Sequence, residues 1–99
     1  MIKLRILSEA VQDLANALQF YETQSPGLGD DFLFEYERAL LRIRSFPEAW
    51  APVSTHLRRC LLRRFPYAVF YTKEGTDIVI SAVSDLRRNP EKLPQQPTP

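Results

Sequence analysis

The sequence predicts a small α+β domain with the element order β-α-α-β-β-β, in which a helical hairpin packs on one face of an antiparallel sheet. Its first seven residues, MIKLRIL, alternate apolar and basic side chains, which is the period of a strand with one buried face. Residues 9–46 carry apolar side chains at helical spacing. After residue 57 the period returns to two, as expected for further strands.

Two helices are predicted, at residues 9–23 and 29–46, with Ser8 as a preferred residue type for the first N-cap. Pro26 and the two glycines beside it interrupt the helical pattern and permit a tight reversal, so the helices are expected to form a hairpin. The apolar stripes consist of Val11, Leu14, Ala15, Leu18 and Tyr21 in the first helix, and Phe32, Tyr36, Ala39, Leu40 and Ile43 in the second.

Three β-rich runs follow the helices: LRRCLLRR, YAVFY and DIVISAV. They are short and separated by turn residues, so they are predicted to form an antiparallel meander to which the first strand adds. Pro66 lacks a backbone N–H and is therefore expected at a bulge or a strand junction. The face of the sheet away from the helices is predicted to be open.

The length of 99 residues suits one modest core, so residues 1–90 are predicted to form a single domain. Four of the last ten residues are proline, and residues 91–99 are expected to be a mobile tail. The N-terminus lacks the hydrophobic region of a signal peptide. The lone Cys60 cannot form an internal disulfide. These features favour a cytoplasmic protein without a membrane partner.

Positive charge is concentrated in the second half of the chain. Residues 1–50 contain 5 basic and 8 acidic side chains, whereas residues 51–99 contain 8 and 4. Six arginines are expected on the first strand of the meander or just after its last: Arg58, Arg59, Arg63, Arg64, Arg87 and Arg88. If these strands are neighbours, one arginine of each pair would reach the open face and form a phosphate-binding patch. The alternative is a solvated sheet face or ion pairing with the acidic helices.

Other candidate residues each have a functional and a structural interpretation. His56 could act as a general acid or base, or be an ordinary surface residue. Tyr67 and Tyr71 could stack on bases, or belong to the core. One histidine and one cysteine do not predict a metal site, and the absence of nucleotide-binding and hydrolase motifs predicts no cofactor. A nuclease that uses only positioned basic residues would leave no such motif.

The segment LRRCLLRRFPYAVFYTKEGTDIVISAVSDLRRNP, together with the short first strand and the helical hairpin, resembles the RelE/ParE superfamily of toxins from type II toxin–antitoxin modules. The branch often described as plasmid stabilisation proteins is the most similar. The resemblance extends to Pro90. It implies a prokaryotic cytoplasmic toxin that is neutralised by a small antitoxin encoded beside it.

Two mechanisms occur among proteins of this kind: RelE-like members cut mRNA on the ribosome, whereas ParE-like members poison DNA gyrase. Ala68 stands where RelE-like nucleases commonly carry an arginine, and no tyrosine or histidine follows Tyr71. These departures favour the ParE-like alternative. Two alternatives remain open. One is a divergent mRNA endonuclease that uses Arg63, Arg64, Arg87, Arg88 and His56. The other is a non-toxic co-repressor that reaches operator DNA only through its antitoxin.

Overall fold

The computed structural model describes residues 2–88, which form two helices and five strands. The predicted α+β class is confirmed, and each predicted helix boundary lies within one residue of the observed one. Residues 89 and 90 and the predicted tail at 91–99 lie outside the described residues. In chain order the elements are β1 (Leu4–Ile6), α1 (Ser8–Gln24), α2 (Leu28–Ser45), β2 (Ala51–Pro52), β3 (Leu57–Leu61), β4 (Tyr67–Glu74) and β5 (Asp77–Asp85).

The five strands form one sheet in the order β1-β5-β4-β3-β2. The predicted meander is confirmed, since β3, β4 and β5 pair in antiparallel fashion. However, β1 runs parallel to β5, with Leu4 opposite Ile78, so the sheet is mixed rather than wholly antiparallel. No hairpin joins these two strands, because both helices and three strands lie between them in the chain, so no turn sets their relative direction. Strand β2 has two residues and is too short to leave a period in the sequence.

The helical hairpin closes through Glu22 near the end of α1. Its carboxylate accepts the backbone N–H groups of Gly27 at 3.0 Å and Gly29 at 3.0 Å. A Cβ atom at Gly29 would lie 3.1 Å from the Leu18 carbonyl oxygen, so glycine permits this close approach of the helices. The predicted N-cap at Ser8 is wrong: α1 is capped by Leu7, and Ser8 is its first residue.

An aromatic cluster forms much of the core between the helices and the sheet. Tyr21 and Phe32 stack with ring centroids 5.4 Å apart. Phe65 and Tyr67 approach them edge-on, at 4.9–5.9 Å. Offset and edge-to-face pairs of this kind contribute energy beyond the burial of apolar area.

The sheet face opposite the helices also contains a buried apolar cluster, so the prediction that it lies open is wrong. Leu57, Ala68, Phe70 and Ala82 are 0–5% exposed on this face. The partly buried Val53 and Leu86 pack against them from the loops that flank β3 and β5. Apolar side chains occupy both sides of β4, and for this reason the run YAVFY does not alternate between apolar and polar residues.

Candidate functional site

Arg58 holds a loop in place and does not face solvent freely. Its guanidinium donates to the backbone oxygens of Trp50 at 2.8 Å and Glu48 at 3.2 Å, in the loop after α2. The hydroxyl of the fully buried Tyr71 donates to Pro47 in the same loop, at 2.6 Å. These bonds tie the loop to the sheet and give Arg58 a structural role.

Arg63 and Arg64 lie in a bend at residues 62–66, and not on a strand as predicted. Pro66 belongs to this bend, as the prediction of a strand junction required. Arg64 adopts a left-handed backbone conformation with φ 71°. Its side chain is 3.4 Å from the Asp31 carboxylate and lies over the Phe65 ring at 5.7 Å. Arg63 is exposed.

Arg87 and Arg88 surround Asp85 at the end of β5. Arg87 binds both carboxylate oxygens, with Nε–Oδ1 at 3.2 Å and Nη2–Oδ2 at 3.1 Å, and Arg88 approaches to 3.8 Å. Burial by itself would raise the pKa of Asp85, but the hydrogen bonds from Arg87 and the two positive charges lower it. Asp85 is therefore ionised at neutral pH and positions both guanidinium groups.

The two groups of arginines lie at one end of the sheet, although their strands are not neighbours. Strand β4 separates β3 from β5, so the condition for a patch built by adjacent strands is not met. The backbone N–H of Leu86 instead donates to the Pro66 oxygen at 2.9 Å and joins the bend to the residues after β5. Arg63, Arg64, Arg87 and Arg88 form what we call the sheet-end cluster.

The remaining predicted residues lie elsewhere. Tyr67 and Tyr71 are 8% and 0% exposed in the helix-facing core, so neither ring presents a face for a base. Burial raises the pKa of each hydroxyl to about 12, and the charge on Asp85 adds to this effect at Tyr67. His56 is exposed in the turn before β3. It is separated from Arg63 by the five residues of β3, roughly 17 Å of strand, so the two do not form one site.

Arg59 points away from the helices and lines a depression at the outer edge of β3. The other lining residues are Arg42, Trp50, Ala51, Leu61 and Arg63. The sequence analysis missed four of these site residues: Arg42, Trp50, Ala51 and Leu61. Arg42 is outside the apolar stripe predicted for the second helix, and no pattern in the sequence brings a helix residue to the edge of a strand. The name "edge depression" is used below for this group of six residues.

Ala68 is completely buried on β4, the strand that lies between β3 and β5. On β4 it stands opposite Leu61 of β3 and Ser84 of β5. It belongs to the apolar cluster with Phe70 and Leu57. Within residues 2–88, the position where RelE-like nucleases commonly carry an arginine therefore offers neither a charge nor access to solvent.

Among residues 2–88, no three histidine, cysteine or acidic side chains are close enough to hold a metal ion together. Neither helix in this part of the chain is long and apolar enough to cross a membrane. Cys60 is 1% exposed and packs in the helix-facing core.

The sequence matches a family model described as the ParE toxin of the type II toxin–antitoxin system parDE, over residues 4–90. The chain belongs to this ParE toxin family. It is also 32% identical over 92 residues to Toxin ParE2 of Mycobacterium tuberculosis, a match that covers 92% of this chain and 88% of the relative. The same relationship holds for a second strain of that organism.

A solved structure supports the same fold. The chromosomal ParDE system from P. aeruginosa contains a chain that superposes with a TM-score of 0.69 at 15% identity, covering 86% of this chain and 96% of the other. The resemblance to RelE/ParE toxins is thus confirmed, and within that superfamily the ParE assignment is the supported one. Membership in a toxin–antitoxin family implies a cognate antitoxin as a binding partner.

Proposed function

We propose that this ParE-family toxin acts in the cytoplasm by binding and inhibiting DNA gyrase, and that its antitoxin relieves this inhibition. The observation that carries the proposal is the burial of Ala68 in an apolar cluster. In this proposal the chain is a binding protein and not a nuclease.

The environment of Ala68 argues against a cryptic nuclease site. Catalysis of phosphoryl transfer by a protein without a metal depends on cations and proton donors aimed at the reacting phosphate. Ala68 supplies no cation, and the residues opposite it, Leu61 and Ser84, do not replace one. His56, the one histidine, lies at the far end of β3 from the arginines of the bend. A group that could transfer a proton and the groups that could stabilise the phosphate charge therefore do not lie in one site.

The sheet-end cluster is the proposed surface for the target. Arg87 and Arg88 are 56% and 75% exposed in their side chains, and Asp85 holds Arg87 by two side-chain hydrogen bonds and approaches Arg88 at 3.8 Å. Preorganised arginines lose little conformational entropy when they bind carboxylates or phosphates. Four clustered guanidinium groups, of which that of Arg87 is held by two hydrogen bonds to Asp85, suit an acidic protein surface or DNA held by that protein.

The proposal is tested with purified gyrase and relaxed plasmid. The wild-type toxin is expected to stall supercoiling and to let cleaved DNA accumulate, and addition of the antitoxin should restore supercoiling. The double variant Arg87→Ala/Arg88→Ala should require at least about tenfold more toxin for the same effect. As a matched control, Arg5→Ala removes an equally exposed arginine whose partner, Glu74, lies at the opposite end of the sheet.

Three results would redirect the assignment. Gyrase that is unaffected by micromolar toxin would remove the proposed target. New 5′ ends in primer extension of translated mRNA after induction would identify an endonuclease instead. Harmless overexpression without the antitoxin would favour the co-repressor alternative.

A further inference from the structure

The edge depression is a concave surface of about 280 Å³ at the outer edge of β3. Three basic residues, Arg42, Arg59 and Arg63, line it together with Trp50, Ala51 and Leu61. Its volume suits one or two inserted side chains and is at the lower limit for a small-molecule pocket. The proposed gyrase function uses only Arg63 of this group.

The depression exists because β2 ends before it covers β3. The two residues of β2 pair only with Arg58 and Arg59. The carbonyl oxygens of Leu57 and Leu61 both point to the outer edge, where they accept Val53 N–H at 2.7 Å and the Arg42 guanidinium at 3.0 Å. Antiparallel geometry places the N–H of Leu61 on the same edge as its carbonyl. Among residues 2–88, this N–H has no ladder partner in β2 and no other backbone acceptor, so it is an available donor beside the depression.

The walls of the depression are positioned before any partner arrives. The Trp50 indole donates to the Arg42 carbonyl oxygen at 3.1 Å, and the backbone oxygen of Trp50 accepts the 2.8 Å bond from Arg58. Leu61, which is 52% exposed, presents an apolar surface beside this wall. Arg59 and Arg63 have no acidic partner within 4.0 Å among residues 2–88, so their charges are not neutralised internally.

We propose that the edge depression binds an acidic segment of the antitoxin. A carboxylate of that segment lies between Arg59 and Arg63, a backbone carbonyl accepts the Leu61 N–H, and an apolar side chain covers Leu61. This inference rests on the proposed function, in which an antitoxin neutralises the toxin.

A peptide fits this surface better than a nucleic acid does. An unpaired N–H at a strand edge is satisfied by a backbone carbonyl, as in the recognition of peptides by addition of a strand. An apolar surface at the floor of the depression favours binding of a hydrophobic side chain, whereas binding of a phosphate backbone requires only cations. Arg63 belongs to both the edge depression and the sheet-end cluster, so a segment bound here would also obstruct the surface proposed for the target.

The test measures the dissociation constant between the refolded toxin and the antitoxin encoded beside it, at several salt concentrations. Arg59→Glu is the principal variant, because Arg59 is outside the sheet-end cluster. The control is Lys3→Glu, which makes the same change of charge at an exposed position next to β1, on the opposite edge of the sheet. Arg59→Glu is expected to weaken binding at least about tenfold and to reduce its salt dependence, with Lys3→Glu within about twofold of the wild type.

Arg59→Gln is a second variant, to be used if the charge reversal prevents folding, and it should weaken binding in the same direction. Equal affinities for Arg59→Glu and Lys3→Glu would overturn the proposal. The proposal would also be overturned if Arg59→Glu lost binding to a short single-stranded oligonucleotide while its affinity for the antitoxin was unchanged. That result would assign the depression to nucleic acid.

The experiments distinguish a failure of the proposed antitoxin site from a failure of the proposed function. If the wild-type toxin inhibits gyrase and antitoxin rescues the Arg59→Glu variant as readily as the wild type, the depression is not the antitoxin site while the gyrase assignment stands. If the wild-type toxin leaves gyrase unaffected but Arg59→Glu selectively loses the antitoxin, the depression is the antitoxin site and the gyrase assignment is wrong.

Discussion

Replacement of Tyr71 by phenylalanine separates a structural role of this side chain from a role in target binding. The ring is fully buried, and its hydroxyl donates to Pro47 at 2.6 Å. Phenylalanine retains the apolar contacts but leaves the Pro47 oxygen without this donor, a loss of about 1–2 kcal/mol in the free energy of unfolding. For a domain of this size, each kcal/mol lowers Tm by roughly 4–8 °C.

The same substitution changes the response to alkaline pH. The pKa of Tyr71 is about 12 in the folded protein, because burial disfavours the phenolate, and about 10 in an unfolded chain. Because the pKa is higher in the folded protein, the neutral Tyr71 hydroxyl contributes its full stabilisation below pH 10. This contribution to the free energy of unfolding is lost as the pH rises from 10 towards 12. At about 1.4 kcal/mol for each pH unit, the loss amounts to about 3 kcal/mol at Tyr71. Tyr67, whose pKa is also about 12, contributes similarly in both proteins.

Urea denaturation between pH 7 and pH 12, followed by circular dichroism, measures both effects. Tyr71→Phe should be less stable than the wild type at pH 7 but should lose about 3 kcal/mol less between pH 10 and 12. Inhibition of gyrase at a temperature where both proteins are folded should be unchanged. If the free energy of unfolding fell equally in the two proteins between pH 10 and 12, the argument from burial would be refuted. A selective loss of gyrase inhibition in Tyr71→Phe would show that Tyr71 takes part in target binding.

Three further substitutions test the packing and the electrostatics. Ala68→Arg should destabilise the domain by about 2 kcal/mol or more in urea titrations, because the site is filled, and should create no RNase activity in primer extension. Asp13 accepts the N–H of Val83 at 3.0 Å, and its pKa is raised, mainly by burial. Its ionisation therefore weakens the fold as the pH rises through that pKa, and Asp13→Asn should match or exceed the wild-type urea midpoint at pH 7. Phe32→Ala removes the centre of the aromatic cluster and should cost about 3–5 kcal/mol, which is enough to unfold much of a small domain in thermal scans.

Local patterns were sufficient for the helices and the meander. The helical stripe ending at Tyr21 and the break at Pro26 depend on neighbours within a few residues, so the sequence placed α1 and α2 within one residue of their observed limits. The β-rich runs and the glycine turn at Gly75, where φ is 64°, are similarly local. The motifs around Ala68 were specific enough to predict the toxin family that the comparisons support.

The candidate site was less predictable, because it depends on contacts between residues distant in sequence. The sequence analysis made a patch of these arginines depend on adjacent strands, whereas the arginines of the sheet-end cluster come to one end of the sheet through the Leu86–Pro66 hydrogen bond. Arg58 resembles Arg59 in the sequence, but one ties down a loop and the other lines the edge depression. Alternation along β3 assigns them to opposite faces, but only the tertiary structure shows what each face contacts.

The sequence by itself determined the two helices, four of the five strands, the family and the absence of an arginine at position 68, since each of these is recorded in residue types and short-range spacing. The tertiary structure alone decided the parallel pairing of β1, the burial of the second sheet face and the early end of β2. These features arise from packing between segments tens of residues apart, where the free energy of burial, and not local propensity, selects the arrangement.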